Sequence, residues 1–213
     1  MKIALIGATG NVGSHVLKEA LSRGHQVTAI SRDAAKLPIG QENLTANETD
    51  VYDTDALASA LRGHDAVISA FNSGWQNPNL YADYKRGYAS ILAAAKRSGV
   101  KRILVVGGAS SLVLPDGSLV FDAYIPKEFV HAVRGAMELL DDIKQENALD
   151  WTFLSPAIDL QAGERTGKFR LGTDSPVMDD AGKSRISVAD MAVAIVDEIE
   201  NGRFIQRRFT VGY

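Results

Sequence analysis

Cysteine is absent from this sequence of 213 residues. The chain can therefore hold no disulfide framework, no thiolate metal site and no cysteine nucleophile. Its four histidines are far apart and show no metal-ligand spacing, so we expect no metal centre. No apolar run approaches the roughly 20 residues that a membrane-spanning helix needs. We expect a cytoplasmic protein without a membrane partner.

An excess of charge of one sign is also missing, since 23 Lys and Arg stand against 26 Asp and Glu for a net charge of -3. The basic residues are scattered rather than gathered into a stripe, so we expect no nucleic-acid partner. Hydrophobic residues make up 46% of the chain, which suffices for one sizeable core at this length. We expect a single domain over residues 1–213.

Short β-prone runs alternate with segments of helical period through the first 155 residues. The helical segments are residues 11–23, residues 53–61, a long helix that ends at Gly99, and a helix with the apolar stripe Phe129, Val133, Met137 and Leu140. This alternation predicts an α/β fold with a parallel, doubly wound sheet and helices on both faces. The predicted strands are residues 2–6, 26–31, 44–47, 66–71, 102–106 and 150–154.

The pattern changes after Pro156. Residues 163–172 are rich in turn formers, Ser187 has the position of a helix N-cap, and residues 209–211 form a plausible terminal strand. We interpret residues 157–186 as a small C-terminal cap on the substrate side of the sheet rather than a separate domain. Arg165 and Lys168 of this cap either meet an anionic substrate or are solvated turn charges.

Three glycines with the spacing G-x-x-G-x-x-G separate the first predicted strand from the first predicted helix. A helix N-terminus offers unpaired N–H groups and a partial positive charge to a pyrophosphate, and glycines let the backbone approach it closely. The strand before and the helix after the glycines favour a dinucleotide cofactor over a purely conformational turn. The candidate cofactor-binding residues of this turn are Gly7, Thr9, Gly10, Asn11, Val12 and Gly13.

The end of the second predicted strand bears on the choice of cofactor. An NAD-preferring fold has an acidic residue there for the ribose 2′-hydroxyl, whereas this chain has Ser31 and Arg32. Arginine can pair with a 2′-phosphate through two hydrogen bonds, which favours NADP(H) and leaves NAD(H) as the alternative. A small shift of the turn would give the hydroxyl role to Asp33 and leave Arg32 as a surface charge.

Asp50 and Val51 follow the third predicted strand at the carboxyl edge of the sheet, where ligands of such folds collect. They are candidates for adenine contacts. The alternative is that Asp50 is an ordinary surface carboxylate in an acidic stretch.

A family resemblance is carried by IGATGNVGSHVLKEALSRGHQVTAISR, the Asp50-Val51 pair, AVISAF, RILVVGGASSL, DWTFLSPA, GERTGKFRLG, ISVADMAVAIVDE and RRFTVGY. Over essentially its whole length the chain resembles small NAD(P)H-binding members of the atypical short-chain dehydrogenase superfamily. It is most similar to bacterial NADH-flavin reductases and, in outline, to biliverdin-IXβ/flavin reductase. The resemblance implies a Rossmann-like fold with a nicotinamide cofactor along the glycine turn. It also implies Arg32 at the ribose phosphate, Asp50 and Val51 at adenine, and Ala70 and Phe71 near the adenosine ribose.

Short-chain dehydrogenases typically use a serine, a tyrosine about thirteen residues later and a lysine four beyond it, which lowers the tyrosine pKa for acid–base work on a carbonyl. Ser111 and Tyr124 have the first spacing, but Lys127 falls one residue short. These three residues are the catalytic candidates. The alternative is a loop tyrosine beside a surface lysine, and the departure makes alcohol or ketone chemistry doubtful.

Reduction of a flavin or quinone needs less machinery, because hydride passes from the nicotinamide to a ring stacked against it. Gly107 and Gly108, after the fifth predicted strand, would let the nicotinamide come close to the backbone; otherwise they belong to a flexible turn. Trp75 either stacks on a planar substrate or folds back onto its own sheet.

These residues support two functions of different classes. The first is an NAD(P)H-dependent reductase, acting as a monomer or homodimer, that passes hydride from NADPH to a planar acceptor, with a flavin as substrate rather than as bound cofactor. The second is a non-catalytic redox sensor of the nitrogen-metabolite-repression type, which binds NAD(P) and reports through a protein partner. A sugar-nucleotide epimerase fits less well, because the cap is small and the Tyr-x-x-x-Lys spacing is missing.

Overall fold

A computed structural model describes residues 1–38, 40–125 and 130–213, with the side chains of residues 131 and 132 left out. Its strands are β1 (Lys2–Ile6), β2 (Gln26–Ser31), β3 (Leu44–Glu48), β4 (Ala66–Ser69), β5 (Arg102–Val106), β6 (Asp150–Ser155), β7 (Asp159–Gln161), β8 (Arg170–Gly172), β9 (Arg185–Ser187) and β10 (Arg207–Gly212). Its α-helices are α1 (Asn11–Ser22), α2 (Thr54–Leu61), α3 (Leu80–Ser98), α4 (Val120–Tyr124), α5 (Val130–Ile143) and α6 (Val188–Asn201).

The central sheet has the order β3-β2-β1-β4-β5-β6-β10-β8 in the described residues. Neighbouring strands run parallel up to β10, and β8 joins β10 antiparallel as the edge strand. The chain runs outward from β1 through β2 to β3 and then crosses back to β4 on the other side of β1. This topology confirms the predicted doubly wound, Rossmann-like sheet and puts its switch point between β1 and β4.

Helices cover both faces of this sheet. Helices α1 and α6 pack against each other on one face, while α3 packs between α2 and α5 on the other. Each face has its own apolar core, with Leu5 and Phe209 in the first and Ile6 and Phe153 in the second. The strands alternate between the two cores because successive side chains of a strand point to opposite faces.

Local residues account for several helix ends. Asp53 accepts a hydrogen bond from the Ala56 N–H at the start of α2, and Ser187 accepts one from the Asp190 N–H at the start of α6. Gly99, with φ at +84°, ends α3 in the left-handed conformation that glycine adopts easily. The stripe residues Val133, Met137 and Leu140 lie on α5, and Phe129 lies outside the described residues.

The structure corrects the predicted elements at their edges. The strand predicted for residues 66–71 ends at Ser69, after which Ala70 and Phe71 leave the ladder. The sequence did not reveal α4 or the three-residue strands, of which β7 and β9 pair in a small sheet of their own. Among the described residues, no helix has both the length and the apolar character to cross a membrane.

Candidate cofactor and acceptor cleft

A cleft of about 550 Å³ opens at the carboxyl ends of β1, β4, β5 and β6. It lies at the topological switch point, which is where open α/β sheets bind their ligands. Each of these strand ends contributes to the lining: Gly10, Asn11 and Val12 after β1, residues 70–75 without Ser73 after β4, residues 107–110 after β5, and residues 156–158 after β6.

Two of the three glycines at the end of β1 are required by backbone packing. Gly7 has φ at +81°, and a Cβ there would lie 2.6 Å from the carbonyl oxygen of Ala70. A Cβ on Gly13 would overlap the carbonyl oxygen of Gly7. Gly10 is less confined, since its Cβ would lie 3.3 Å from that same oxygen. Gly7 therefore fits β1 closely beside β4, and Gly13 fits α1 closely onto the turn.

The first turn of α1 has the properties of an anion site. Gly10 is its N-cap, so no side chain caps the helix, and no acidic residue occupies its first turn. The first N–H groups of a helix have no partner within it, and they carry the positive end of its dipole. Gly10, Asn11 and Val12 line the cleft, whereas Thr9 is exposed in the turn outside the lining. A pyrophosphate fits this arrangement without any charged side chain.

At the end of β2, Ser31 and Asp33 take part in the hydrogen bonds of the turn, whereas Arg32 does not. The Ser31 hydroxyl accepts a hydrogen bond from the Asp33 N–H at 3.2 Å. The Asp33 carboxylate accepts one from the Ala35 N–H at 3.2 Å and lies 3.3 Å from the Lys36 ammonium. Asp33 is thus engaged within its own turn, while Arg32 is exposed at the carboxyl edge of the sheet.

Asp50 and Val51 lie at the same edge after β3. Asp50 is exposed and accepts a hydrogen bond from the Tyr52 N–H at 3.0 Å, whereas Val51 is buried against the core beneath it. The guanidinium of Arg86 lies 4.0 Å from the centre of the Tyr52 ring. The sequence did not indicate the contact between Tyr52 and Arg86, because Arg86 lies on α3, more than 30 residues later in the chain.

Ala70 and Phe71 both line the cleft, and Phe71 does so as part of an aromatic cluster. Its ring lies against Gly87, where a Cβ would overlap it, with the Tyr84 and Tyr88 rings 6.4 and 5.7 Å away. The Tyr88 hydroxyl donates to the Phe71 carbonyl at 3.2 Å. Burial raises the pKa of Tyr88 to about 12 and that of Tyr84 well above its ordinary value, so both phenols stay protonated.

The segment after β5 forms the floor of the cleft. Gly107 and Gly108 line it together with Ser110, which is buried. A Cβ on Gly107 would overlap the Phe153 ring, so the core itself requires this glycine. Gly108 has more room, since its Cβ would lie 3.5 Å from the Ala136 Cβ.

Neither Ser111 nor Tyr124 is among the described residues that line the cleft. The Ser111 hydroxyl and carbonyl accept hydrogen bonds from Arg208 at 3.0 and 2.9 Å, and Ser110 lines the cleft in place of Ser111. Tyr124 ends α4, is 53% exposed and is not a lining residue. Lys127 lies outside the described residues. A catalytic role for this set stays a prediction.

Two carboxylates, one on α1 and one on α6, accept hydrogen bonds from the cap. Arg165 donates to the Glu19 carboxylate of α1 through Nε at 2.7 Å and Nη2 at 2.9 Å. The buried Asp190 carboxylate accepts hydrogen bonds from the Thr166 and Gly167 N–H groups and from the Tyr213 hydroxyl. Arg165 is therefore engaged within the protein rather than presented to an anionic substrate.

The comparison with protein families matches residues 7–199 to a family described as NAD(P)H-binding. The matched range begins at the glycine turn and ends within α6, so it contains the whole cleft lining. The fold and this match together support a nicotinamide dinucleotide as the ligand of the cleft.

Proteins of nearly the same length in several bacteria are similar to this chain. An uncharacterized protein of Bacillus subtilis, YwnB, is 39% identical over 99% of this chain and 98% of its own. A solved structure from Bacteroides thetaiotaomicron, of a protein proposed to be an epimerase, is 42% identical with a TM-score of 0.92 over 100% of this chain and 96% of its own. One from Streptococcus pneumoniae, of a protein proposed to be an NADH-flavin reductase, is 35% identical with a TM-score of 0.85 over 100% of this chain and 99% of its own.

Proposed function

The chain belongs to the NAD(P)H-binding family, and we propose that it is an NADPH-dependent reductase of a planar acceptor such as a flavin or quinone. In fold it resembles the short-chain dehydrogenase superfamily. The general character of an NAD(P)H-dependent oxidoreductase follows from the family. The observation that carries the finer proposal is the cleft at the switch point, in which a helix N-terminus without a side-chain cap lies next to a space with mostly apolar walls.

The choice of NADPH over NADH rests on the residues after β2. Arg32 is exposed at the sheet edge where the adenosine ribose of such folds lies, and the Asp33 carboxylate is engaged with the Ala35 N–H and Lys36. A guanidinium binds a phosphate through two charge-assisted hydrogen bonds, whereas an acidic residue would repel the 2′-phosphate.

At the nicotinamide end of the cleft, hydride transfer to the acceptor requires few catalytic side chains. When bound, the reduced nicotinamide supplies a hydride, and a proton from water completes the two-electron reduction of the acceptor. The α1 N-terminus would hold the pyrophosphate, residues 107–110 would form the floor, and the apolar walls would keep water from between the two rings while the far edge of the acceptor stays open to it. Orientation of two rings in contact is then the main contribution of the protein.

The experiment is a titration followed by an assay on the same preparation. NADPH and NADH would be titrated by their fluorescence, and oxidation of each would then be followed with riboflavin, FMN and a benzoquinone. We expect tighter binding of NADPH and its oxidation by at least one of these acceptors. Tight binding of NADPH without turnover on any acceptor would overturn the reductase proposal and favour the redox sensor.

A further inference from the structure

We propose that the acceptor side of the cleft selects an uncharged planar ring and that Trp75 is the surface on which this ring stacks. The inference rests on the proposed reductase function and names its substrate class. The described residues that line the cleft include no Asp, Glu, Lys or Arg. Lys127, two residues beyond the lining residue Ile125, lies outside the described residues and enters the test below.

The two ends of the cleft differ in what they offer to a ligand. The β1 end offers the N–H groups of α1, which suit an anion. The far end is walled by aliphatic side chains from two separate segments, Val120 and Ile125 at α4 and Ile158 and Leu160 at β7. An apolar wall stabilises a flat hydrophobic ring, but it cannot compensate a phosphate or carboxylate for the water that the group loses on burial.

Neighbouring cations are held elsewhere. Arg208 donates to Ser111, next to the lining residue Ser110, but its guanidinium also pairs with Asp174. Arg165 follows the lining residue Leu160 in the chain and binds Glu19. Neither guanidinium is available to an acceptor, because each already has a carboxylate partner.

Among the described aromatic residues that line the cleft, Trp75 is the exposed one. It lines the cleft and is nevertheless 67% exposed, whereas a packed tryptophan would bury most of its surface. Single exposed hydrophobic residues are common, so exposure alone would mean little. Here the position decides, because the exposed ring stands beside a cleft with apolar walls.

The loop that carries Trp75 is ordered by its own hydrogen bonds and by one to α3. Asn72 accepts a hydrogen bond from the Gly74 N–H at 2.8 Å, and the Asn77 N–H donates to the Gly74 carbonyl at 2.9 Å. The Asn77 side chain donates to the Asp83 carboxylate of α3 at 2.9 Å. Gly74 has φ at +104°, which a side chain at this position would resist. These contacts hold the loop backbone on both sides of Trp75, so little ordering of the chain is needed when a second ring stacks there.

The first test compares two acceptors with the same ring. Riboflavin and FMN share the isoalloxazine ring and differ by one phosphate. We expect kcat/KM to favour riboflavin by about tenfold, because the apolar wall cannot compensate the phosphate for the water it loses. A tenfold ratio corresponds to about 1.4 kcal/mol. Equal values, or a preference for FMN, would overturn the uncharged class. A preference for FMN that disappears in Lys127→Ala would overturn it as well and assign the phosphate to that lysine.

The second test changes the ring. Trp75→Ala should raise the KM for riboflavin about tenfold, in the range measured for loss of an aromatic stacking partner, while kcat and NADPH binding change little. Trp75→Phe should restore most of the affinity. Leu171→Ala, which removes an exposed apolar side chain on β8, is the matched control and should leave KM unchanged. An unchanged KM in Trp75→Ala would overturn the stacking role.

A binding measurement separates this inference from the reductase proposal. The chain has two tryptophans, and Trp151 is only 4% exposed, so the red-shifted part of the emission belongs to Trp75. With saturating NADP⁺, riboflavin should quench this emission in the wild type, and the remaining emission of Trp75→Phe should be quenched far less. Quenching without turnover would contradict the reductase proposal alone. Turnover without loss of quenching in Trp75→Phe would contradict the role of Trp75 alone.

Discussion

The cofactor half of the cleft and the acceptor half are built by different means. At the end of β1, glycines and a helix N-terminus form a site from the backbone, within seven consecutive residues. On the other side, the aliphatic walls come from two segments more than 30 residues apart in the chain, with Val120 and Ile125 at α4 and Ile158 and Leu160 at β7. As proposed, the first half would bind the pyrophosphate, a group common to all dinucleotides, and the second would be free to vary with the acceptor.

This difference has a physical origin. A pyrophosphate requires N–H groups in one fixed arrangement, and only a tight turn entering a helix provides them, so the sequence there is narrowly constrained. An apolar ring requires a wall of the right shape, which many combinations of aliphatic side chains provide. The predictions below test whether the two halves can be disturbed separately.

The largest effect is expected at Gly13. In Gly13→Ala the new methyl group would overlap the Gly7 carbonyl, so α1 must move away from the turn. We expect a loss of about 3 kcal/mol in the free energy of unfolding and loss of NADPH binding. Gly10→Ala is the control, since its Cβ would lie 3.3 Å from the same oxygen and should cost about 1 kcal/mol or less. Equal losses in urea denaturation would show that the turn is not confined as described.

The next effect concerns Arg32 and leaves the fold intact. Arg32→Asp should weaken NADPH about a hundredfold, because it removes charge-assisted hydrogen bonds and adds a repelling carboxylate, while NADH should change little. Arg62→Asp, at an exposed arginine beyond the C-terminus of α2, has the same change in charge and serves as the control. Dissociation constants measured by fluorescence decide the matter. Equal weakening of both cofactors would place Arg32 away from the 2′-phosphate.

Most of the fold and the position of the glycine turn could be predicted from the sequence because their signals are local. The strands β1, β2 and β5 have the predicted bounds, and the glycine turn lies where its spacing indicated. In the acceptor half, Gly107, Gly108 and Trp75 were candidates from the sequence, but the aliphatic walls could not be predicted, since they meet only through the crossovers of the sheet. Ser111 shows the difference, because a spacing rule marked it, but the structure turns its hydroxyl to Arg208, 97 residues later.

An intermediate effect is expected at Arg208, which does not line the cleft but binds Ser111 at the end of the cleft floor. Its guanidinium binds the Ser111 carbonyl and hydroxyl and pairs with Asp174, so it holds the end of the cleft floor in place. Arg208→Ala should lower kcat about tenfold through misplacement of the rings, with NADPH affinity unchanged. Arg208→Lys should recover part of the loss, because the charge is kept but not the paired geometry. An equal loss of NADPH affinity would indicate general unfolding instead.

The smallest effect concerns the ion pair that joins the two halves, Glu19 of α1 and Arg165 of the cap. The hydrogen bonds from Arg165 hold the pKa of Glu19 below its ordinary value of 4.5. A carboxylate whose pKa is lowered by folding adds stability above the ordinary value, and that stability is lost as the pH falls below 4.5 through the lowered pKa.

Glu19→Gln should therefore lower the free energy of unfolding at pH 7 by about 1 kcal/mol, a small value because water screens the half-exposed Arg165. The difference from the wild type should shrink as the pH falls below 4.5, when the wild-type carboxylate becomes protonated. Glu42→Gln, at an exposed loop position, controls for the loss of one charge. Urea denaturation at pH 7 and in acid gives both quantities. A difference that is constant with pH would mean that Glu19 contributes through packing rather than through its charge.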